Sequence, residues 1–225
     1  LIDNAGLYDL SENHAKECNW QELAGYEEPP GNPWGSCDGG NYYMLASLFS
    51  SGGVMLEQDD PYVASDVGCS CITACPFVKT LLDWRIVSAN AIADTDALKQ
   101  AIYAHGPIQT SMDMKDSEGF NSAYDGSYTF DYAGQPGSTD HEVLIVGWSD
   151  NLPPLEGGGD PAEGWIVKNS WGADWGASGY FYATYGTANL GTYTSYIHAW
   201  QDHEPNGDVW YYDEAGWTGT YGFAD

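Results

Sequence analysis

The chain has 225 residues, of which 43% are hydrophobic and 15% aromatic, so it can bury a core as one large domain or as two lobes. Six Lys and Arg residues stand against 33 Asp and Glu residues, which gives a formal net charge of −27. This charge argues against nucleic acid as a partner, because phosphate contacts need a basic surface. The sequence shows neither an apolar run long enough to span a membrane nor a secretory signal at its start.

Strong acidity is typical of a protein that works in a salty or calcium-containing extracellular medium, where cations screen the surface. Three acidic stretches, at 59–60, 150–151 and 202–208, offer the hard oxygen ligands that Ca²⁺ prefers. None of them has the ligand spacing of an EF-hand loop. We therefore assign no metal ligand, and Ca²⁺ stays an open alternative.

Five cysteines lie in the first third of the chain, at Cys18, Cys37, Cys69, Cys71 and Cys75. Their spacing does not give the two paired units of a typical zinc site. Disulfides in a secreted protein fit the pattern better. The odd count then leaves one thiol without a partner in this chain.

The segment 11–105 is predicted to be helical and rich in loops. Ser11 is a suitable N-cap for a first helix that extends to Glu17. Asp94 or Thr95 caps a third helix, which the following Gly-Pro pair ends. A second helix is predicted from Gly40 to Ser51, with an apolar side formed by Tyr43, Leu45, Leu48 and Phe49.

From residue 106 onward the pattern favours strands, because β-branched and aromatic segments alternate with turn residues. The segment 149–164 holds three Pro and four Gly and is predicted to be a long surface loop. Helices followed by strands indicate an α+β plan of two lobes, at 1–105 and 106–200, with an extension at 201–225. The predicted strands are Ile108–Met114, Glu142–Trp148, Trp165–Lys168, Tyr180–Tyr185, Tyr193–Trp200 and Val209–Tyr212.

Two polar residues lie at the edges of predicted strands. His141 stands directly before Glu142–Trp148, and Asn169 directly follows Trp165–Lys168. If these strands are neighbours, the Asn side-chain oxygen can fix the orientation and tautomer of the imidazole. The other ring nitrogen then faces a nucleophile. The alternative is that both residues only end their strands.

The motifs D-H-x-V-x-I-V-G-W around His141 and G-W-I-V-K-N-S-W-G around Asn169 resemble the His and Asn blocks of papain-like cysteine peptidases. The N-terminal half is similar to the run that follows the catalytic helix in that family, although Ser36 stands where the family usually has Gly. The resemblance covers residues 9–200. The matching N-terminal segments are Asp9–Glu12, Cys18, Gly35–Gly40, Gly52–Gly53 and Asp60–Tyr62.

The resemblance implies a two-lobe papain-like fold, with an incomplete helical N-terminal lobe and an antiparallel, β-barrel-like C-terminal lobe. It also implies an endopeptidase with a Cys-His-Asn mechanism. His141 would stabilise a thiolate as imidazolium and later protonate the leaving amine, and Asn169 would orient His141. Trp171 would shield the His–Asn hydrogen bond from water, a role that does not exclude an ordinary core position.

Peptide or protein substrates are implied by the same resemblance. Gly39 and Gly40 would line the substrate cleft, where absent side chains let a peptide backbone approach. A tight turn before a helix is the alternative role of these glycines. The backbone near Asp140 would hold the substrate strand, and the segment Ser111–Met114 is a candidate pocket wall.

No segment like Q-G-x-C-G-S-C-W occurs in the chain, and residues 1–17 contain no Cys. The family's nucleophile precedes its His by about 130–150 residues, so we expect it upstream of Leu1 in the same precursor. This chain alone is then expected to be inactive. Cys37, in a Gly-Ser-Cys before a helix, is an alternative nucleophile, but it follows the Leu-Ser-Glu block and matches the cleft segment.

The resemblance further implies that Cys37 pairs with a cysteine upstream of the chain. Cys18 would then pair with Cys69, Cys71 or Cys75, and the remaining two would pair or stay free. We expect the protein in the extracellular medium or at the cell surface.

A finer kinship is suggested by residues 40–43, the loop before Gly164, and residues 211–217, which look like prokaryotic surface peptidases followed by a lectin-like domain. The tail from about residue 201 would be the entry to that domain, or an ordinary terminal strand. A non-catalytic scaffold, such as a self-assembling surface or filament subunit, is the alternative function. A carbohydrate-binding module is supported only by the Tyr and Trp residues of the last 25 positions.

Overall fold

The computed structural model describes residues 8–19, 37, 39–71, 75–114, 124–202, 209–210 and 220–221. Its helices are α1 (Glu12–Glu17), α2 (Tyr42–Ser51) and α3 (Thr95–His105). Its strands are β1 (Lys79–Ser88), β2 (Ile108–Met112), β3 (Thr129–Phe130), β4 (His141–Pro154), β5 (Pro161–Lys168), β6 (Tyr180–Thr184), β7 (Thr192–Asp202), β8 (Val209–Trp210) and β9 (Thr220–Tyr221).

The chain divides into two compact units. Arg85–Tyr196 belongs to the first unit, and Asn4–Trp84 with Ile197–Asp225 belongs to the second. This division differs from the predicted boundary between residues 105 and 106. Helix α3 joins the first unit because its buried side chains Leu98 and Ile102 are part of that unit's hydrophobic core.

Two helices begin and end at the predicted capping residues. The Ser11 hydroxyl accepts the N–H of His14 at 2.8 Å and starts α1. The Asp94 carboxylate accepts two N–H groups of the first turn of α3. Helix α3 ends at Gly106, whose φ of +88° is a conformation that glycine adopts without a Cβ clash. Both predictions are confirmed.

Helix α2 is present, but its predicted apolar side is only half right, since Leu48 and Phe49 are half-buried and the other two predicted residues are exposed. The helix begins after Asn41, whose side chain accepts the N–H of Met44 at 3.1 Å. Periodicity alone does not say which side of a helix finds a partner, and the ring of Tyr42 meets Trp84 of β1 edge-on at 5.6 Å. The buried residues are Tyr42, Met44 and Ala46, whereas Tyr43 and Leu45 are exposed.

Strands β1 to β7 form one sheet in the order β1-β7-β2-β4-β5-β6-β3. Neighbours β2–β4, β2–β7, β4–β5 and β5–β6 are antiparallel. The β3–β6 pair is parallel, so the sheet is mixed and not purely antiparallel as predicted. Helix α3 contacts β2 and β4. The core of the first unit includes the fully buried side chains of Ile108, Ile145, Trp165, Val167 and Phe181.

The predicted loop 149–164 is wrong in its larger part, because β4 and β5 continue through it as a hairpin. The register pairs Leu152 with Ala162 and Pro154 with Pro161. Register shifts on both sides of residue 152 create the irregular positions at which a strand tolerates proline. Only residues 155–160 connect the two strands.

Strand β1 is absent from the prediction, which assigned its region to helices and loops. All six strands that were predicted are present, with shifted ends. The last of them is seen as β8, Val209–Trp210, and residues 211–212 of that prediction lie outside the described residues.

Three polar residues of α1 are buried. The exposed fraction is 2% or less for each of Asn13, His14 and Glu17. The Asn13 amide donates to Asp60 Oδ1 at 3.0 Å. The Glu17 carboxylate accepts the backbone N–H groups of residues 67 and 68 at 3.3 and 3.2 Å. Burial lowers the pKa of His14, and the nearby Asp60 carboxylate partly opposes this effect. Helix α1 therefore anchors the segment 60–68 through polar groups.

Two disulfides lie in the second unit and involve four of the five cysteines. Cys18 pairs with Cys69, and Cys71 pairs with Cys75. Cys37 takes part in neither bond, and its side chain is exposed. The pairing selects one of the alternatives that the sequence left open.

Candidate active site

The two candidate catalytic residues meet at one edge of the sheet. His141 is the first residue of β4, and Asn169 directly follows β5. These strands are antiparallel neighbours, so the end of one lies beside the start of the other. The distance between His141 Nε2 and Asn169 Oδ1 is 2.9 Å. Since an amide oxygen only accepts, Nε2 carries the proton and Nδ1 is the ring nitrogen that can face a nucleophile.

Asn169 is held by its surroundings. It is only 4% exposed, its backbone N–H donates to Gly179 O at 2.9 Å, and its Oδ1 also accepts the N–H of Ser170 at 2.8 Å. Its buried Nδ2 has no hydrogen-bond partner within the described residues. Two donors on one oxygen fix the amide, and the amide in turn fixes the imidazole.

Trp171 lies against the imidazole and is the first ring of an aromatic cluster. Its ring centroid lies 5.2 Å from that of His141, at an interplanar angle of 39°. Trp175 meets Trp171 edge-on at 4.9 Å, and Tyr124 lies 5.4 Å beyond. Tyr124 is fixed in turn, because its hydroxyl donates to Tyr128 O at 2.9 Å and accepts the N–H of Tyr182 at 3.0 Å. This position is consistent with the predicted shielding role, and Trp175 and Tyr124 were not found from the sequence.

Asp140 ties the start of β4 to the end of β2. Its N–H donates to Met112 O at 3.0 Å, and its Oδ1 accepts the N–H of Met114 at 2.7 Å. These contacts give Asp140 a structural task beside His141. Its predicted part in substrate binding stays a prediction.

The loop before His141 is held by buried polar groups that the sequence analysis did not single out. The fully buried Asp113 carboxylate accepts the N–H of Gln135 at 2.6 Å. The Asn189 side chain donates to the carbonyls of Gln135 and Ser138 at 2.7 and 2.8 Å. Asn189 has a φ of +57°, a left-handed conformation in which Asn is common. These bonds determine where the chain enters β4.

The remaining predicted site residues belong to the second unit. Gly39 has a φ of +104°, which requires glycine, and Gly40 directly precedes the Asn41 cap of α2. Both roles of these glycines, as a tight turn before the helix or as the lining of a substrate cleft, stay predictions. The N–H of Cys37 donates to the Asp66 carboxylate at 3.1 Å.

Within the described residues, no group of three or more His, Cys, Asp or Glu side chains is arranged to hold a metal ion. None of the described helices has the length and apolar character that a membrane crossing requires.

Comparison with known proteins adds the chemical context. The family profile "Papain family cysteine protease" matches residues 1–199. Cysteine proteinase 1 of Dictyostelium discoideum is 32% identical over 202 residues, which cover 85% of this chain and 52% of that protein. A viral cathepsin of Heliothis zea nuclear polyhedrosis virus is 28% identical over 184 residues, covering 77% of this chain and 40% of that protein. The solved structure of digestive procathepsin L 3 from Tenebrio molitor larval midgut has a TM-score of 0.66 and 26% identity, covering 87% of this chain and 57% of that one.

The chain belongs to the papain family of cysteine proteases, and the predicted α+β, papain-like fold is confirmed. The chain spans about half the length of the curated relatives it matches.

Proposed function

We propose that the chain supplies the His–Asn part of a cysteine endopeptidase domain whose nucleophilic thiol lies upstream of Leu1. The 2.9 Å contact between His141 Nε2 and Asn169 Oδ1 is the observation that carries this proposal. Membership in the papain family supports a thiol as the missing group. Peptides or proteins are the proposed substrates.

In the proposed reaction, the upstream thiolate attacks the carbonyl carbon of a peptide bond and forms a thioester. His141, as imidazolium, stabilises the thiolate and gives the Nδ1 proton to the departing amine. Water then attacks the thioester, His141 takes a proton from that water, and the carboxylic acid leaves. Asn169 keeps the imidazole oriented through both steps, and Trp171 limits the access of water to the hydrogen bond.

The experiment compares two preparations: the chain alone, and the chain preceded by the residues encoded before it. Only the longer protein is expected to hydrolyse a fluorogenic peptide, and His141→Ala or alkylation with iodoacetamide should abolish that hydrolysis. A Ser, Ala or Gly at the position of the expected cysteine, together with inactivity of the longer protein, would contradict the proposal. That outcome would favour the non-catalytic scaffold, with self-assembly as its expected property.

An oxidising compartment is proposed because two disulfides lie within the described residues. We accordingly place the protein in the extracellular medium or at the cell surface. The kinship with surface peptidases that carry a lectin-like domain is supported by sequence alone, since residues 211–217 lie outside the described residues. The sequence encoded after Asp225 tests it, and its lack of a β-rich domain would end that proposal.

A further inference from the structure

The connection from β6 to β7 has an unfavourable backbone conformation. Ala188, Asn189 and Tyr193 have φ values of +50°, +57° and +51°. The left-handed region is sparsely occupied by residues with a Cβ, and for a bulky residue such as tyrosine it is an outlier. Such a conformation persists only where the surrounding contacts maintain it, and it is concentrated at sites with a task. The contacts of this connection therefore indicate what it does.

The Asn189 carboxamide bridges the two ends of the turn 135–138. Its Nδ2 donates to Gln135 O at 2.7 Å and to Ser138 O at 2.8 Å, so both N–H groups of the amide are used. The N–H of Ser138 closes the turn by donating to Gln135 O at 2.9 Å. Asn189 is only 7% exposed. Asparagine tolerates the left-handed backbone better than most residues do, and that backbone directs the amide at the turn.

Two further bonds complete a triangle of three segments. The Asp113 carboxylate accepts the N–H of Gln135 at 2.6 Å, and the N–H of Asp113 donates to Ala188 O at 2.7 Å. The end of β2, the turn 135–138 and the β6–β7 connection are thus each bonded to the other two. We call this arrangement the polar clasp, and its members are Asp113, Gln135, Ser138, Ala188 and Asn189.

The polar clasp is joined to the catalytic strand through Asp140. The N–H of Asp140 donates to Met112 O at 3.0 Å, and its carboxylate accepts the N–H of Met114 at 2.7 Å. These two methionines are the chain neighbours of the buried carboxylate in the clasp. The stretch from Ser138 to Asp140 is therefore fixed at both ends, and His141 follows it directly.

Packing adds little on one side of the polar clasp. A cavity of about 340 Å³ borders Pro136, Gly137 and Asn189, and it is also lined by Ile92 and Tyr193. Groups that face open space have no partner atoms on that side, so they gain no dispersion energy there. The hydrogen bonds of the clasp, and not close packing, therefore determine where the turn lies.

We propose that Asn189 is a positioning residue of the active site: by closing the polar clasp, its amide holds the start of β4 where His141 meets Asn169. Without the amide the turn can move toward the cavity, and a displacement of about 1 Å at a catalytic group can cost about 100-fold in rate. The inference rests on the proposed peptidase function. It deepens that function by naming a residue outside the His–Asn pair on which the geometry of the pair depends.

The kinetic test uses two variants of the protein with its upstream residues. Asn189→Gly removes both donors but suits the left-handed backbone, and Asn189→Asp keeps the shape of the side chain but turns an acceptor toward two carbonyl oxygens. In each variant kcat for a fluorogenic peptide should fall by about ten- to 100-fold, whereas KM should stay within about threefold of the wild-type value. Asn90→Gly and Asn90→Asp change an exposed asparagine that lines the same cavity, and these matched controls should keep the wild-type kcat.

A measurement without catalysis separates this inference from the peptidase proposal. In ¹⁵N NMR of the chain alone, the His141 ring should give the same signals in the wild type and in the Asn90 variants, and shifted or broadened signals in Asn189→Gly. If the longer protein is inactive altogether, only the peptidase proposal fails, and the His141 signals still decide the role of Asn189.

Urea unfolding of the same samples distinguishes positioning from a purely structural role. A purely structural asparagine would lower the free energy of unfolding in Asn189→Gly but leave both the kcat of the folded protein and the His141 ring signals unchanged. That result would overturn the inference.

Discussion

Asn169→Ala is the substitution that tests the catalytic pair most directly. It removes Oδ1, which accepts from His141 Nε2 at 2.9 Å and from the Ser170 N–H. The His141 ring then keeps its Trp171 contact but loses the group that fixes its tautomer. Both tautomers become accessible, and only one of them is productive.

The expected loss follows from the single hydrogen bond. A bond to a charged group contributes about 1.5–3 kcal/mol, and about 1.4 kcal/mol corresponds to a tenfold change in rate. We therefore expect kcat/KM to fall by about ten- to 150-fold in Asn169→Ala. Ser170→Ala is the matched control, because it keeps the backbone N–H and changes only an exposed hydroxyl.

The assay is hydrolysis of a fluorogenic peptide by the protein with its upstream residues. In parallel, ¹⁵N NMR of the chain alone reports the His141 tautomer. The wild type should show the proton on Nε2, and Asn169→Ala should show a mixture. Activity within threefold of the wild type, with an unchanged tautomer, would refute the assignment of Asn169 as the orienting residue.

Three further predictions concern stability, measured by urea unfolding. Burial lowers the pKa of folded His14, whereas the unfolded residue titrates at about 6.5. The free energy of unfolding should therefore fall as the pH drops from about 6.5 toward the folded-state pKa, and His14→Gln should flatten this fall. An equal slope in both proteins would contradict this role of His14. Replacing Cys18 and Cys69 by Ala should lower the free energy of unfolding by about 4 kcal/mol, since the disulfide closes a loop of 51 residues. A decrease below about 1 kcal/mol would contradict stabilisation by loop closure. Gly164→Ala should destabilise by about 3 kcal/mol or more, because its Cβ would lie 2.0 Å from Ala183 O; near-wild-type stability would contradict the strand pairing at this position.

Local signals in the sequence were sufficient for the elements whose ends depend on nearby residues. Ser11 and Asp94 predict helix starts because a cap bonds within its own first turn. The strands that carry His141 and Asn169 were predictable from β-branched runs that stop at turn residues. The pairing of His141 with Asn169 was predicted from the order of the two motifs that contain them, and the structure brings the two side chains together.

The errors concern contacts between segments that are distant in sequence. Strand β1 has no regular alternation around Asp83 and Arg85, so its pairing with other strands gives no local signal. The hairpin at 149–164 contains the prolines and glycines of a loop, and only the pairs Ser149–Gly164, Leu152–Ala162 and Pro154–Pro161 show that it is a sheet. The burial of His14 likewise depends on a tertiary environment that helix periodicity does not encode.

The carboxamide and imidazole are carried by adjacent strands of the same folding unit, joined by a dense ladder of backbone bonds. In the proposed peptidase, the geometry that proton transfer requires would thus be set when the sheet forms, independently of the residue that supplies the thiol. Such a preassembled half-site is a natural starting point for split-enzyme complementation, in which a synthetic cysteine-bearing peptide would switch on hydrolysis.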